Sequence, residues 1–289
     1  MLGEGRRTPP GLGTRSTRAG RRARAALGAR RPCLTYSARV NRVAELLRLL
    51  PAADWAGLAF FFAAWIGYAV FARRRARRRP SFLGSTNRVR RQWMLQTTCR
   101  EVRVLDAIAV QQMSGAASFF ASTTMLIIGA LVAVIGSTEK ATALVRELPF
   151  AARTSVLVFD LKLAVLTAIF VYAFFRFTWS IRQYSAGILL IAAVPEHDTI
   201  HDEAQRQAFA DRASRVMALA AQSFNDGLRA YYMAFAAVSW FVSPWVMAAA
   251  TAGVVWVLYQ REFHSAVLSA LEASAWSAAP PPQAPQQDP

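Results

Sequence analysis

The chain has 289 residues, 54% of them hydrophobic, and a formal net charge of +17. The hydrophobic share exceeds the roughly 45–50% of an ordinary soluble domain. The charge is uneven: residues 1–50 carry twelve Arg against Glu4 and Glu45, and residues 73–106 carry eleven against Glu101 and Asp106, which leaves the rest slightly acidic and excludes a uniformly basic nucleic-acid binder.

Only Lys140 and Lys162 are lysines, and Ala, Gly, Pro and Arg abound, which points to a GC-rich, bacterial genome. Cys33 and Cys99 lie in the two basic segments and have no metal-type spacing. Residues 1–43 show no apolar period. They read as disorder, as an Arg-rich transit peptide, or as a stretch upstream of the true start. We take the last reading, with the mature chain beginning near Val40, for a topological reason given below. Ala44–Leu50 then reads as a short interfacial helix stopped by Pro51.

The first span covers about 54–72 and runs into RRRARRR at 73–79. At 1.5 Å per residue it crosses roughly 30 Å of hydrocarbon. Trp55 and Tyr68 suit the aromatic belts. A stop-transfer arginine run follows instead of a cleavage site, so the span is retained. From Asn87 to Gln112, the apolar Val89, Trp93, Met94, Val102, Leu105 and Ala109 stand at helical spacing against Arg88, Arg91, Arg100 and Arg103. This predicts a basic amphipathic helix lying on an anionic inner leaflet.

The second span covers about 114–136. Gln111, Ser114, Gly115, Ser118, Ser122, Met125, Gly129 and Ala133 form one stripe, which serves as a helix-packing seam or lines a polar cavity. The third span covers about 155–175. It holds Asp160 and Lys162, and ionisable groups in a span call for a functional hypothesis. Lys162 is close enough to the end to snorkel. Positions two apart do not face each other on a helix, so the two are not a simple pair. The apolar part of 177–195 is too short to cross. It is a continuation of the third helix or an interfacial segment, ended near Pro195.

The segment EHDTIHDE at 196–203 places His197 and His201 four apart, on one face of a helix. They are weak metal candidates. The competing reading is an acidic start to an amphipathic helix, which complements the helix dipole. The fourth span covers about 230–258, with Pro244 predicted to kink it midway. Residues 266–289 form an Ala/Pro-rich tail.

Arginine and lysine gather in cytoplasmic loops. Eleven lie in 73–113, three in 137–154 and six in 176–229, so the first and third connectors are cytoplasmic and both termini face outward. The basic head would then have to be translocated, so either the mature chain begins near Val40, the reading taken here, or the first span is reversed and the others adapt. The expected location is a bacterial cytoplasmic (inner) membrane.

Several landmarks occur in order: RVRRQWM at 88–94, Asp106, FFAST at 119–123, FRFTWSIRQY at 175–184, GLRAYY at 227–232, WFVSPW at 240–245 and YQREF at 259–263. Together these resemble the family of domain of unknown function 599, over roughly 54–265. The resemblance implies a multi-span integral membrane protein without an assigned activity, and it carries over no site residues.

The sequence thus predicts an all-α, polytopic helical membrane protein with about four transmembrane helices plus amphipathic cytoplasmic helices in a membrane domain over 44–265. It offers no Gly-rich phosphate loop and no paired nucleophile and base. The leading expectation is a non-enzymatic protein, without cofactors, that acts through helix, protein or lipid contacts. Its partners would be the anionic inner leaflet, other membrane proteins or further copies of itself, and no nucleic acid. The first alternative is a small-solute or ion transporter using Asp160, Lys162 and the Pro244 break. The second is a metal-dependent membrane enzyme at His197 and His201.

Overall fold

A computed structural model describes residues 50–76, 78–137, 156–195 and 202–273. Among these the chain is helical without strands. In chain order the helices are α1 (Ala52–Ala76), α2 (Phe82–Thr97), α3 (Val104–Gly136), α4 (Val156–Ala192), α5 (Glu203–Val238), a 3-10 turn (Ser239–Phe241), α6 (Pro244–Phe263) and α7 (Ala266–Ala273). Helices α1, α3 and α4 are long and apolar enough to cross a membrane. This is the architecture of a helical membrane protein. The expectations for residues 1–43, for most of Ala44–Leu50 and of the 137–154 loop, and for the end of the tail lie outside the described residues.

Packing fixes the direction of each helix. Phe177 and Ser180 of α4 meet Gly227 and Ala220 of α5, and Gly187 meets Met217. The two therefore run antiparallel. A Cβ at Gly227 would stand 2.6 Å from the Phe177 ring, so glycine is what lets α4 and α5 approach this closely. Phe120 of α3 stacks on Phe177 at 5.4 Å, and Thr124 meets the Tyr231 hydroxyl at 2.7 Å. Helix α3 thus packs on α4, antiparallel to it, and runs in the same direction as α5. Helix α1 runs parallel to α6: Gly57 faces Pro244 and Met247 near one end, and Phe71 and Arg75 face Tyr259 near the other.

Helix α4 settles the question of 177–195. Its 37 residues make one continuous helix of about 55 Å, well beyond a hydrocarbon core of about 30 Å. Its C-terminal part packs in a cluster with Met94, Val110, Tyr184, Ile191, Ala210 and Met217. Helix α5 starts on Asp202, whose carboxylate accepts from the Ala204 amide at 2.9 Å, so the expected acidic start is an N-cap.

Three expectations are corrected. The amphipathic helix over 87–112 is two helices, because the chain breaks between Thr97 and Val104. Arg103 fills the break by donating to the Val194 and Pro195 carbonyls at 2.7 and 2.6 Å, which caps the end of α4. The fourth span over 230–258 is also two helices. Pro244 does not kink a continuous helix. It is the first residue of α6, where its missing N–H costs nothing, and Ser243 before it is extended with its hydroxyl accepting from the Trp245 amide. The chain reverses at 239–243, so α6 returns to the end that holds the arginine block. An outward-facing C-terminal end does not fit this return. Finally, the small-residue stripe of α3 does not pack against the other described helices. The buried stripe of α3 is Val110, Ala117, Ala121 and Thr124, and at Gly115 and Gly129 a Cβ would meet nothing within 4 Å.

Candidate functional site

The buried charges of the described residues fall into three groups. The largest lies where α1, α4, α5 and α6 converge at the arginine-rich end. Asp226 is 6% exposed. Its Oδ2 accepts from Arg176 at 2.5 Å and from Arg73 at 3.2 Å, and its Oδ1 lies 3.5 Å from Arg229. Arg229 is itself buried. It reaches Glu262 of α6 at 3.4 Å and lies 5.7 Å from the centre of the Tyr68 ring. Glu262 also accepts from the Leu83 amide at the start of α2 at 3.4 Å. Three cations around two carboxylates thus tie five helices together. Each buried carboxylate is stabilised only because these partners replace its lost hydration.

The second group lies at the opposite end, where α1 and α4 begin and α5 gives way to α6. Lys162 is 4% exposed, and its Nζ donates to the Trp240 carbonyl at 2.8 Å. Asp54 lies 4.0 Å from the ammonium and accepts from the Trp240 indole at 2.6 Å. The lysine also sits 5.2 Å from the centre of the Trp240 ring. Trp240 is therefore held by three interactions, and the 239–243 reversal is pinned to the starts of α1 and α4. The third group is Asp106 at the start of α3, where it accepts from Trp93 at 2.6 Å and Arg100 at 2.5 Å. Nearby, burial lowers the Arg90 guanidinium from its usual value, and Tyr184 opposes that shift.

The residues singled out from the sequence fare differently. Lys162 does not snorkel: it is drawn inward to Trp240 and Asp54. Asp160 is half-buried on α4, and the charged groups that hold Trp240 are Lys162 and Asp54. Pro244 is a helix start next to the same group. His197 and His201 lie outside the described residues. Among the described residues no three His, Cys, Asp or Glu side chains are placed to hold a metal ion. Sequence reasoning missed Asp54, Asp226, Arg229, Trp240 and Glu262. A faint signal existed for two of them: NDGLRAYY puts an acid and a base on an otherwise small and apolar helical segment.

The arginine-rich group is assembled from segments far apart in sequence: Arg176 in FRFTWSIRQY, Arg229 in GLRAYY and Glu262 in YQREF. A family model matches residues 56–267, a range that contains all three. The chain belongs to the family described as "Protein of unknown function, DUF599". No curated protein and no solved structure matches the chain.

Proposed function

We propose that this DUF599 protein is a non-enzymatic integral protein of a bacterial cytoplasmic membrane that acts through helix, protein and lipid contacts. In this reading α1, α3 and α4 cross the bilayer, and the end of α5 with α6 adds a hairpin. The arginine-rich end faces the cytoplasm, as the distribution of positive charge favours. The observation that carries the reading is how the buried charges are used. Asp54, Lys162, Asp226, Arg229 and Glu262 all serve as ties between helices. A transporter would need such groups to exchange partners with a solute. The exposed face of α3, with its small residues and with Phe119 and Leu126 on its flank, is the surface offered to other helices or lipid.

The test is a deletion strain profiled for growth across ions, pH and small solutes, complemented with the wild type and with Asp160→Asn. The expected result is that both complement equally and no solute-specific defect appears. A solute-specific defect rescued by the wild type but not by Asp160→Asn refutes the reading in favour of transport.

A further inference from the structure

Six arginines at the cytoplasmic end are matched with acids. Arg73, Arg176 and Arg229 share Asp226, Arg88 meets Glu272, Arg91 meets Asp211, and Arg100 meets Asp106. Arg74, Arg75, Arg78 and Arg79 form no ion pair with a carboxylate among the described residues, and unlike the other unmatched arginines they stand together. All four line one cleft of about 930 Å³ at the end of α1. Arg75 is fixed in place. Its guanidinium lies 5.6, 5.7 and 5.5 Å from the ring centres of Phe71, Tyr259 and Phe263, and its Nη2 donates to the Tyr259 hydroxyl at 3.4 Å. Its Nε–H is buried without a partner. Such a cluster of unmatched guanidiniums suits a phosphate, whose oxygens accept several charge-assisted hydrogen bonds.

The other half of the cleft is apolar. Gly67, Val70 and Phe71 form its wall, and at Gly67 a Cβ would meet nothing within 4 Å. Gly67 and Phe71 also line an adjoining groove of about 500 Å³ between α1 and α6, which reaches up to Phe60. From Phe60 to Arg75 the helix rises about 22 Å. One leaflet of a bilayer, headgroup included, measures about the same, half of roughly 40–45 Å. Charge and apolar wall thus follow one another along α1 over the length of a single lipid.

We propose that this cleft binds an anionic phospholipid. Arg74, Arg75, Arg78 and Arg79 hold the phosphate, and an acyl chain lies past Gly67 along the groove toward Phe60. A soluble phosphate would engage the same arginines but would leave the apolar half unused. The inference rests on the membrane-spanning part of the reading above and not on its non-enzymatic part. The growth profile and the binding experiment can therefore fail separately.

The full chain, purified in mild detergent, is titrated with phosphatidylglycerol and with phosphatidylcholine and examined by native mass spectrometry. Phosphatidylglycerol should bind at a concentration at least tenfold lower. The triple variant Arg74→Gln/Arg78→Gln/Arg79→Gln should lose about tenfold in that affinity. A control, Arg88→Gln/Arg91→Gln/Arg212→Gln, removes the same charge from the same end outside the cleft and should stay within twofold. Gly67→Phe fills the open wall and should weaken phosphatidylglycerol several-fold. Should the triple variant not fold, Arg78→Gln and Arg79→Gln alone, on exposed side chains, carry the same test with smaller losses. Equal losses in the two triple variants mean general charge attraction and overturn the site. Wild-type affinity in Gly67→Phe, or displacement of the lipid by equimolar glycerol phosphate, overturns the lipid in favour of a soluble phosphate.

Discussion

Replacing Asp226 by Asn keeps the size of the side chain and removes one buried charge. Three guanidiniums then face a neutral amide. Arg73 has a side chain 58% exposed and returns to water at little cost, but Arg176 is 27% exposed and Arg229 only 10%. Arg229 keeps Glu262, and Arg176 loses its acidic partner. Breaking a buried pair by removing one member typically costs about 3–5 kcal/mol, and losing an exposed pair about 0–1 kcal/mol. We therefore expect Asp226→Asn to destabilise by about 3–5 kcal/mol and Arg73→Gln by less than about 1 kcal/mol, the difference following from how far each side chain is removed from water. Arg229→Gln should fall with the larger group, because it strands part of Glu262 as well. Unfolding in mixed micelles of mild detergent and dodecyl sulfate, followed by far-ultraviolet circular dichroism, measures all three. If Asp226→Asn falls within about 0.5 kcal/mol of the wild type, or Arg73→Gln costs as much as Asp226→Asn, the assignment of Asp226 as the central tie is wrong.

Further outcomes follow from the packing. Gly227→Ala drives a Cβ into the rigid Phe177 ring and should cost about 1–3 kcal/mol, whereas Gly187→Ala meets the flexible Met217 side chain and should cost less; the same unfolding assay ranks them. Gly115→Ala and Gly129→Ala meet open space, so in a monomer they should be neutral or stabilise by up to about 1 kcal/mol. Loss of stability at those two positions, measured by the same route, would mean that the α3 stripe is packed against another helix. Trp240→Phe removes the donor to Asp54 and should cost about 1–3 kcal/mol, which the same unfolding assay would show. A reporter fused after Phe241 should be exported, and one fused after Ala273 should stay with the cytoplasmic side; a reporter that is exported at both points would restore a single fourth crossing.

Hydropathy and charge were local enough to be legible in the sequence. Runs of apolar residues must hydrogen-bond their own backbone in lipid, so each strong run became a helix, and over the described residues the first three spans fall on α1, α3 and α4. The acidic start of α5 was equally legible, because a helix end is decided by a few neighbouring residues, here Asp202 accepting from the Ala204 amide. The fourth span was not. Its hydropathy runs on through 230–258, and whether Pro244 kinks a helix or starts one depends on what lies beside it. Trp240, locked to Lys162 and Asp54 from two other helices, turns the chain back at that point. The seam of α3 was only partly legible for a related reason: helical spacing identifies a stripe but not the stripe that a neighbouring helix of the same chain chooses. The buried ion cluster was the least legible. Asp226, Arg229, Glu262 and Arg176 are separated by up to 86 positions, and only the folding of α4, α5 and α6 against one another brings their charges within hydrogen-bonding reach.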